Sequence, residues 1–130
     1  MTLVVGLGCQ RGCDLHTLLS LFDTALTEGG IERQGITALA SIDLKREEPG
    51  LLALSRLLGL PLQCFSAEQL AVYEDRLSHK SAVAFTHTGC HGVAESAALA
   101  LAEHLANAPA RLLITRKKTA QATFALACAG

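Results

Sequence analysis

The chain has 130 residues, of which 50% are hydrophobic and 18% charged, with a formal net charge of −1. That length fits one domain, residues 1–130, with enough chain to bury a core without disulfide staples. The composition argues against disorder, and the charge balance against a broad attraction to nucleic acid or to a membrane, so neither partner is expected.

Leu3-Val4-Val5-Gly6-Leu7 is a short apolar run ending in glycines, and it predicts a buried strand. Asp14 then stands as an N-cap before apolar residues at 15, 18, 19, 22 and 26, a helical spacing that Gly29 and Gly30 bring to an end. Residues 36–42 predict a second strand, and residues 49–59 a helix with proline in its first turn and glycine at its close. A third strand is expected over 61–65, followed by a helix over 67–73 that opens with Ser66 and Gln69 in capping-box positions. Beyond a polar stretch at 74–80, residues 81–85 predict another strand, leading into a turn over 86–92. The alanine-rich segment 93–107 predicts a helix that stops before Pro109. Residues 111–115 and 122–127 then form two strands joined by the polar segment 116–121, a spacing that allows a hairpin. The expected fold is a three-layer α/β/α domain with a mixed, mostly parallel sheet of about five strands and an antiparallel C-terminal hairpin.

The start at Met1 lacks a basic segment ahead of an apolar core, so no secretory leader is expected. The apolar stretch 94–102 is interrupted by Glu95 and Ser96, well short of the ~20 apolar residues a membrane span needs. Five cysteines, an odd number without paired spacing, point to free thiols in a reducing compartment, and the cytoplasm is the expected location.

Four constellations could carry chemistry. Gly6-Leu7-Gly8-Cys9-Gln10-Arg11-Gly12 lies where a strand hands over to a helix, a place where backbone amides approach anions. Its third glycine comes one residue late for the dinucleotide fingerprint, so NAD is not expected. A tight turn that merely needs glycine accounts for the same residues about equally well. Arg11 beside those amides suits a carboxylate or phosphate. The segment 41–50 follows the second strand and should share an edge with the first loop, which makes Ser41, Asp43 and Lys45 candidates, whereas Arg46, Glu47 and Glu48 read as an ordinary charged turn. The segment 86–95 again opens a helix, and Thr88, Gly89, Gly92 and Glu95 are the candidates there. His87, Cys90 and His91 could combine with Cys9, Cys13 and His16 around a metal, but no paired Cys-x-x-Cys spacing is present and no metal is expected. Cys9 or Cys90 would act as a nucleophile only with a lowered thiol pKa, and buried structural cysteine is the expected reading. Finally, Arg116-Lys117-Lys118-Thr119 could close over a polyanion or simply form a soluble hairpin tip.

Blocks in all but the last of these, together with residues 58–62 and 65–70, resemble the CobE family of cobalamin biosynthesis, whose domain also forms the C-terminal part of CbiG proteins. The blocks are Val5 to Gly12, Ala40 to Lys45 with Glu48 to Leu51, Leu58 to Leu62 with Phe65 to Leu70, and Gly92 to Leu99. The resemblance runs in order over nearly the whole chain. It implies a role on the corrin ring: binding of a carboxylate-rich precorrin-type tetrapyrrole as carrier or accessory factor. The alternatives are hydrolysis of a precorrin ring lactone, with Asp43, His87 or His91 as acid or base, and service as partner subunit of another corrin-biosynthesis enzyme. Expected ligand contacts are Gly8, Cys9, Arg11, Gly12, Ser41, Asp43, Lys45, Thr88, Gly89, Gly92, Glu95, Lys117 and Lys118, and no cofactor is expected.

Overall fold

The computed structural model describes residues 1–130. Strand β1 (Thr2–Cys9) is followed by α1 (Leu15–Gly29), β2 (Ala38–Ile42), α2 (Pro49–Leu58), β3 (Leu62–Phe65), α3 (Ala67–Ala71), α4 (Ala82–Thr88), α5 (Val93–Ala106), β4 (Ala110–Lys118) and β5 (Ala122–Ala129). The five strands lie in the order β3-β2-β1-β5-β4. β1 pairs in parallel with β2 and β2 with β3, while β5 runs antiparallel to both β1 and β4. Four strands therefore point one way, and β5 alone is reversed.

The caps behave as their residue types require. Asp14 accepts a hydrogen bond from the Thr17 amide at 2.8 Å, and Ser66 and Gln69 form a reciprocal capping box. Gly30, Gly59 and Gly89 end α1, α2 and α4 in the left-handed conformation. Two apolar layers flank the sheet. On one face, Leu18, Phe22, Leu51 and Leu54 of α1 and α2 pack on Val5, Leu7, Phe124 and Leu126. On the other, the alanine-rich α5 packs with Leu70 of α3 on Val4, Ala38, Ile42 and Ala127.

The small side chains of α5 have a specific consequence. A Cβ on Gly6 would fall 1.9 Å from the Ala94 carbonyl oxygen, so α5 lies directly on the β1 backbone. No helix is long and apolar enough to cross a membrane.

Two expectations are corrected. Residues 81–85 are not a strand, and the following residues are not all turn: Ala82–Thr88 form α4. Ser81 caps it by accepting from the Ala84 amide, and Thr86 and Thr88 donate back to the Ala82 and Ala84 carbonyls at 3.0 and 2.7 Å. With no sheet neighbour available, β-propensity has nothing to act on. The polar linker is also shorter than expected, because β4 continues through Lys118 and only residues 119–121 turn. Basic side chains can extend a strand where their heads remain in solvent.

Candidate functional site

The C-terminal ends of β1, β2 and β4, the start of β5 and the N-terminus of α5 meet along one edge of the sheet, where an open α/β sheet places its ligand crevice. A groove of about 750 Å³ lies there. Its walls come from four places: residues 8–11 at and just beyond the end of β1, Leu44, Lys45 and Glu48 after β2, the α4 segment with the α5 N-terminus, and the β4–β5 tip.

Hydrogen bonds tie these loops together. The Gln10 amide donates to the Gln121 carbonyl at 2.8 Å and its side chain to Ala120 at 3.2 Å, which fastens the first loop to the hairpin tip. The Gly12 amide donates to Glu48 Oε2 at 3.2 Å, fastening the same loop to the second. Thr119 closes the tip by accepting from the Gln121 and Ala122 amides. Gly12 adopts φ +80°, a backbone conformation that side-chain-bearing residues rarely take.

The lining is cationic at its rim. Arg11, Lys45, Arg116 and Lys118 all line the groove. The carboxylates that accompany them, Glu48 and Glu95, are already engaged with protein amides. Gly92 starts α5 with no side-chain cap, so the first-turn amides and the positive end of the helix dipole are left facing the groove. Apolar surface is provided by Leu44 and Val83, which are 66% and 70% exposed. No three His, Cys, Asp or Glu side chains converge as a metal site.

Of the expected contacts, Gly8, Cys9, Arg11, Lys45, Thr88, Gly92, Glu95 and Lys118 line this groove. Gly12 and Gly89 stand just outside its lining, in the loops that shape it. Ser41 is fully buried and donates to the Leu7 carbonyl at 2.6 Å, joining β2 to β1 rather than facing a ligand. Asp43 lies outside the groove, near Cys64, whose thiol is raised first by burial and then by Asp43, and Lys117 lies on the opposite face of the sheet beside His16, Thr17 and Ser20, while Lys118 at the strand end borders both sides. Glu95 is 1% exposed and receives hydrogen bonds from the Ser78 amide and hydroxyl and from the His79 and Arg116 amides.

Among the acid–base candidates, His87 and His91 line the groove. His91 pairs through Nδ1 with the Glu74 carboxylate and stacks on Phe85, with ring centroids 4.3 Å apart. The Cys9 thiol is pushed up to about 12 by burial, partly opposed by Lys45, so it stays protonated near neutral pH and is a poor nucleophile. The sequence reading missed Gln10, Leu44 and Val83 as groove residues, and weighed Arg116 only as part of the basic run at the hairpin. For Leu44, the available signal was an exposed apolar residue inside an otherwise charged turn.

The family model described as Cobalamin synthesis G C-terminus matches residues 3–127. Protein CobE of Sinorhizobium sp is 37% identical over 125 residues, covering 96% of this chain and 79% of that protein. The cobalt-precorrin-5A hydrolase of Priestia megaterium is 28% identical over 125 residues, which are 96% of this chain but 32% of the hydrolase. The crystal structure of CobE, a protein from the cobalamin (vitamin B12) biosynthetic pathway, superposes with a TM-score of 0.93 at 46% identity, covering 97% of this chain and 89% of that one.

Proposed function

The chain belongs to the cobalamin synthesis G C-terminal family and is a cobalamin-biosynthesis protein of the CobE type, and on that premise we propose that it binds a carboxylate-rich precorrin intermediate as carrier or accessory factor. The observation that carries this reading is the groove itself: four cations and an uncapped helix N-terminus around a cleft of about 750 Å³ that has exposed apolar side chains on its walls. Precorrins carry acetate and propionate carboxylates around a largely apolar macrocycle. Rim cations and helix amides suit the carboxylates, while Leu44 and Val83 suit the ring. Each exposed ion pair contributes only about 0.2–1 kcal/mol, so recognition rests on several acting together.

A hydrolytic second reading has its own observation, since His87 and His91 face the same groove and His91 is oriented by Glu74. The chain spans only 32% of the hydrolase to which it is similar, so that activity is not carried over with the likeness. The five free thiols support the cytoplasmic location expected from the sequence as part of the same proposal.

The test is anaerobic titration of the purified protein with a panel of precorrin intermediates, following ligand absorption and then ligand mass after incubation. Saturable binding with unchanged mass is the expected result. A changed mass with turnover replaces the carrier reading with an enzyme, and no binding to any intermediate replaces it with a subunit that acts through a partner enzyme.

A further inference from the structure

Strand β4 is irregular where its cations lie. Ile114 pairs with Leu126 and Lys117 with Phe124, so Thr115 and Arg116 together oppose the single residue Ala125. This two-against-one arrangement is a β-bulge. It changes which cations face the groove. Leu126 and Phe124 belong to the core beneath α1 and α2, so their partners Ile114 and Lys117 lie on that face. A first extra residue, between Leu112 and Ile114, has already turned Ile114 onto that face, whereas Leu112 packs with the α5 layer; alternation continued from Ile114 would carry Arg116 and Lys118 to the same face and turn Lys117 toward the groove. The second extra residue cancels the first: Arg116 and Lys118 return to the α5 face and line the groove, and Lys118 pairs with Thr123, another groove residue.

The bulge has a built-in anchor. The Arg116 amide donates to Glu95 Oε2 at 2.9 Å, and the same buried carboxylate receives the Ser78 amide at 2.8 Å and the Ser78 hydroxyl. Resting on the carboxylate-groove reading above, we infer that Glu95 is a positioning residue: it fixes the β4 bulge against the first turn of α5 and thereby aims Arg116 and Lys118, instead of Lys117, at the ligand's carboxylates. Its place in the sequence, in the first turn of a helix beside a candidate site, had suggested a ligand contact. Its four hydrogen bonds assign it to the protein's own backbone and to Ser78.

The experiment uses the full chain and uroporphyrin, an octacarboxylate tetrapyrrole, as probe, with residue-resolved amide exchange as a ligand-free second readout. In the parent chain, Arg116→Ala and Lys118→Ala should each weaken uroporphyrin binding by about 1.4- to fivefold, the range for one exposed charge pair, while Lys117→Ala leaves it unchanged. Glu95→Gln should accelerate exchange of the Arg116 amide, weaken binding, and make the additional removal of Arg116 cost less than it does in the parent. Glu95→Asp, which keeps the charge but withdraws the carboxylate by one methylene, provides the same exchange and binding readouts if the glutamine variant does not fold. Losses that multiply independently, an unchanged Arg116 amide, or a Lys117→Ala effect equal to that of Lys118→Ala would each overturn the inference while leaving the groove reading intact. A parent chain that binds no uroporphyrin would overturn the groove reading and the inference with it.

Discussion

The Cys9 side chain illustrates how burial decides chemistry at the level of one residue. Lysine and glycine neighbours at a helix-facing loop are features of reactive thiols, yet burial outweighs Lys45 and carries the thiol from 9.0 to about 12. The folded chain thus holds a proton that the unfolded chain releases above about pH 9, and this contribution to stability is complete below that pH and lost as pH rises toward 12. Cys64, raised to about 11 first by its own burial and then by Asp43, contributes in the same sense over a narrower window. Urea midpoints should accordingly fall less between about pH 8 and about pH 10 in Cys9→Ser than in the parent, and identical pH dependence would show that burial of this thiol is not what raises it. Arg11 represents the opposite case, an exposed cation whose worth is its position on the groove. Arg11→Ala should weaken precorrin binding by no more than about fivefold, and titration with an unchanged affinity would remove the first loop from the site.

At the level of elements, the contact between β1 and α5 is the tightest constraint on the site, because it sets where the uncapped helix N-terminus lies relative to the first loop. Gly6→Ala would place a methyl group 1.9 Å from the Ala94 carbonyl oxygen and 2.8 Å from the Ala98 nitrogen, both backbone atoms that cannot rotate away. The expected cost is about 3 kcal/mol or more, at or above the upper end of ordinary overpacking, read as a lowered denaturation midpoint. A stability equal to the parent's would mean that α5 can slide along the sheet. Elements with both a period and a cap were legible in the sequence: Asp14 and Gly30 bound α1, and Ser66 and Gln69 open α3. The α4 segment was not legible as a helix, because Val83 and Phe85 suggested an apolar strand face when they are 70% and 48% exposed and pack into no core. Its caps, Ser81 and Gly89, were present in the sequence all along and were the better signal. The β4 bulge was illegible for another reason: alternation predicts a face only while the ladder stays in register, and the hydrogen bond from the Arg116 amide to Glu95 spans 21 residues.

Across the whole molecule, a nearly neutral chain carries a locally cationic edge, so net charge conceals the feature that matters for binding. The parallel topology collects this edge from segments distant in sequence: Arg11 follows β1, Lys45 follows β2, and Arg116 and Lys118 end β4. Each cation is individually weak because water screens it, but together they face one ligand that carries several carboxylates. Their combined contribution should therefore be salt-sensitive in a way that apolar contact with Leu44 and Val83 is not. Raising ionic strength from 0.1 to 1 M shortens the screening length from about 10 to about 3 Å, which separates the rim cations from any carboxylate they do not touch directly. Precorrin affinity should fall progressively over that range, and Arg116→Ala together with Lys118→Ala should flatten the dependence. Affinity that stays constant or rises with salt would place the binding energy on the apolar walls and leave the cations as solubilising groups.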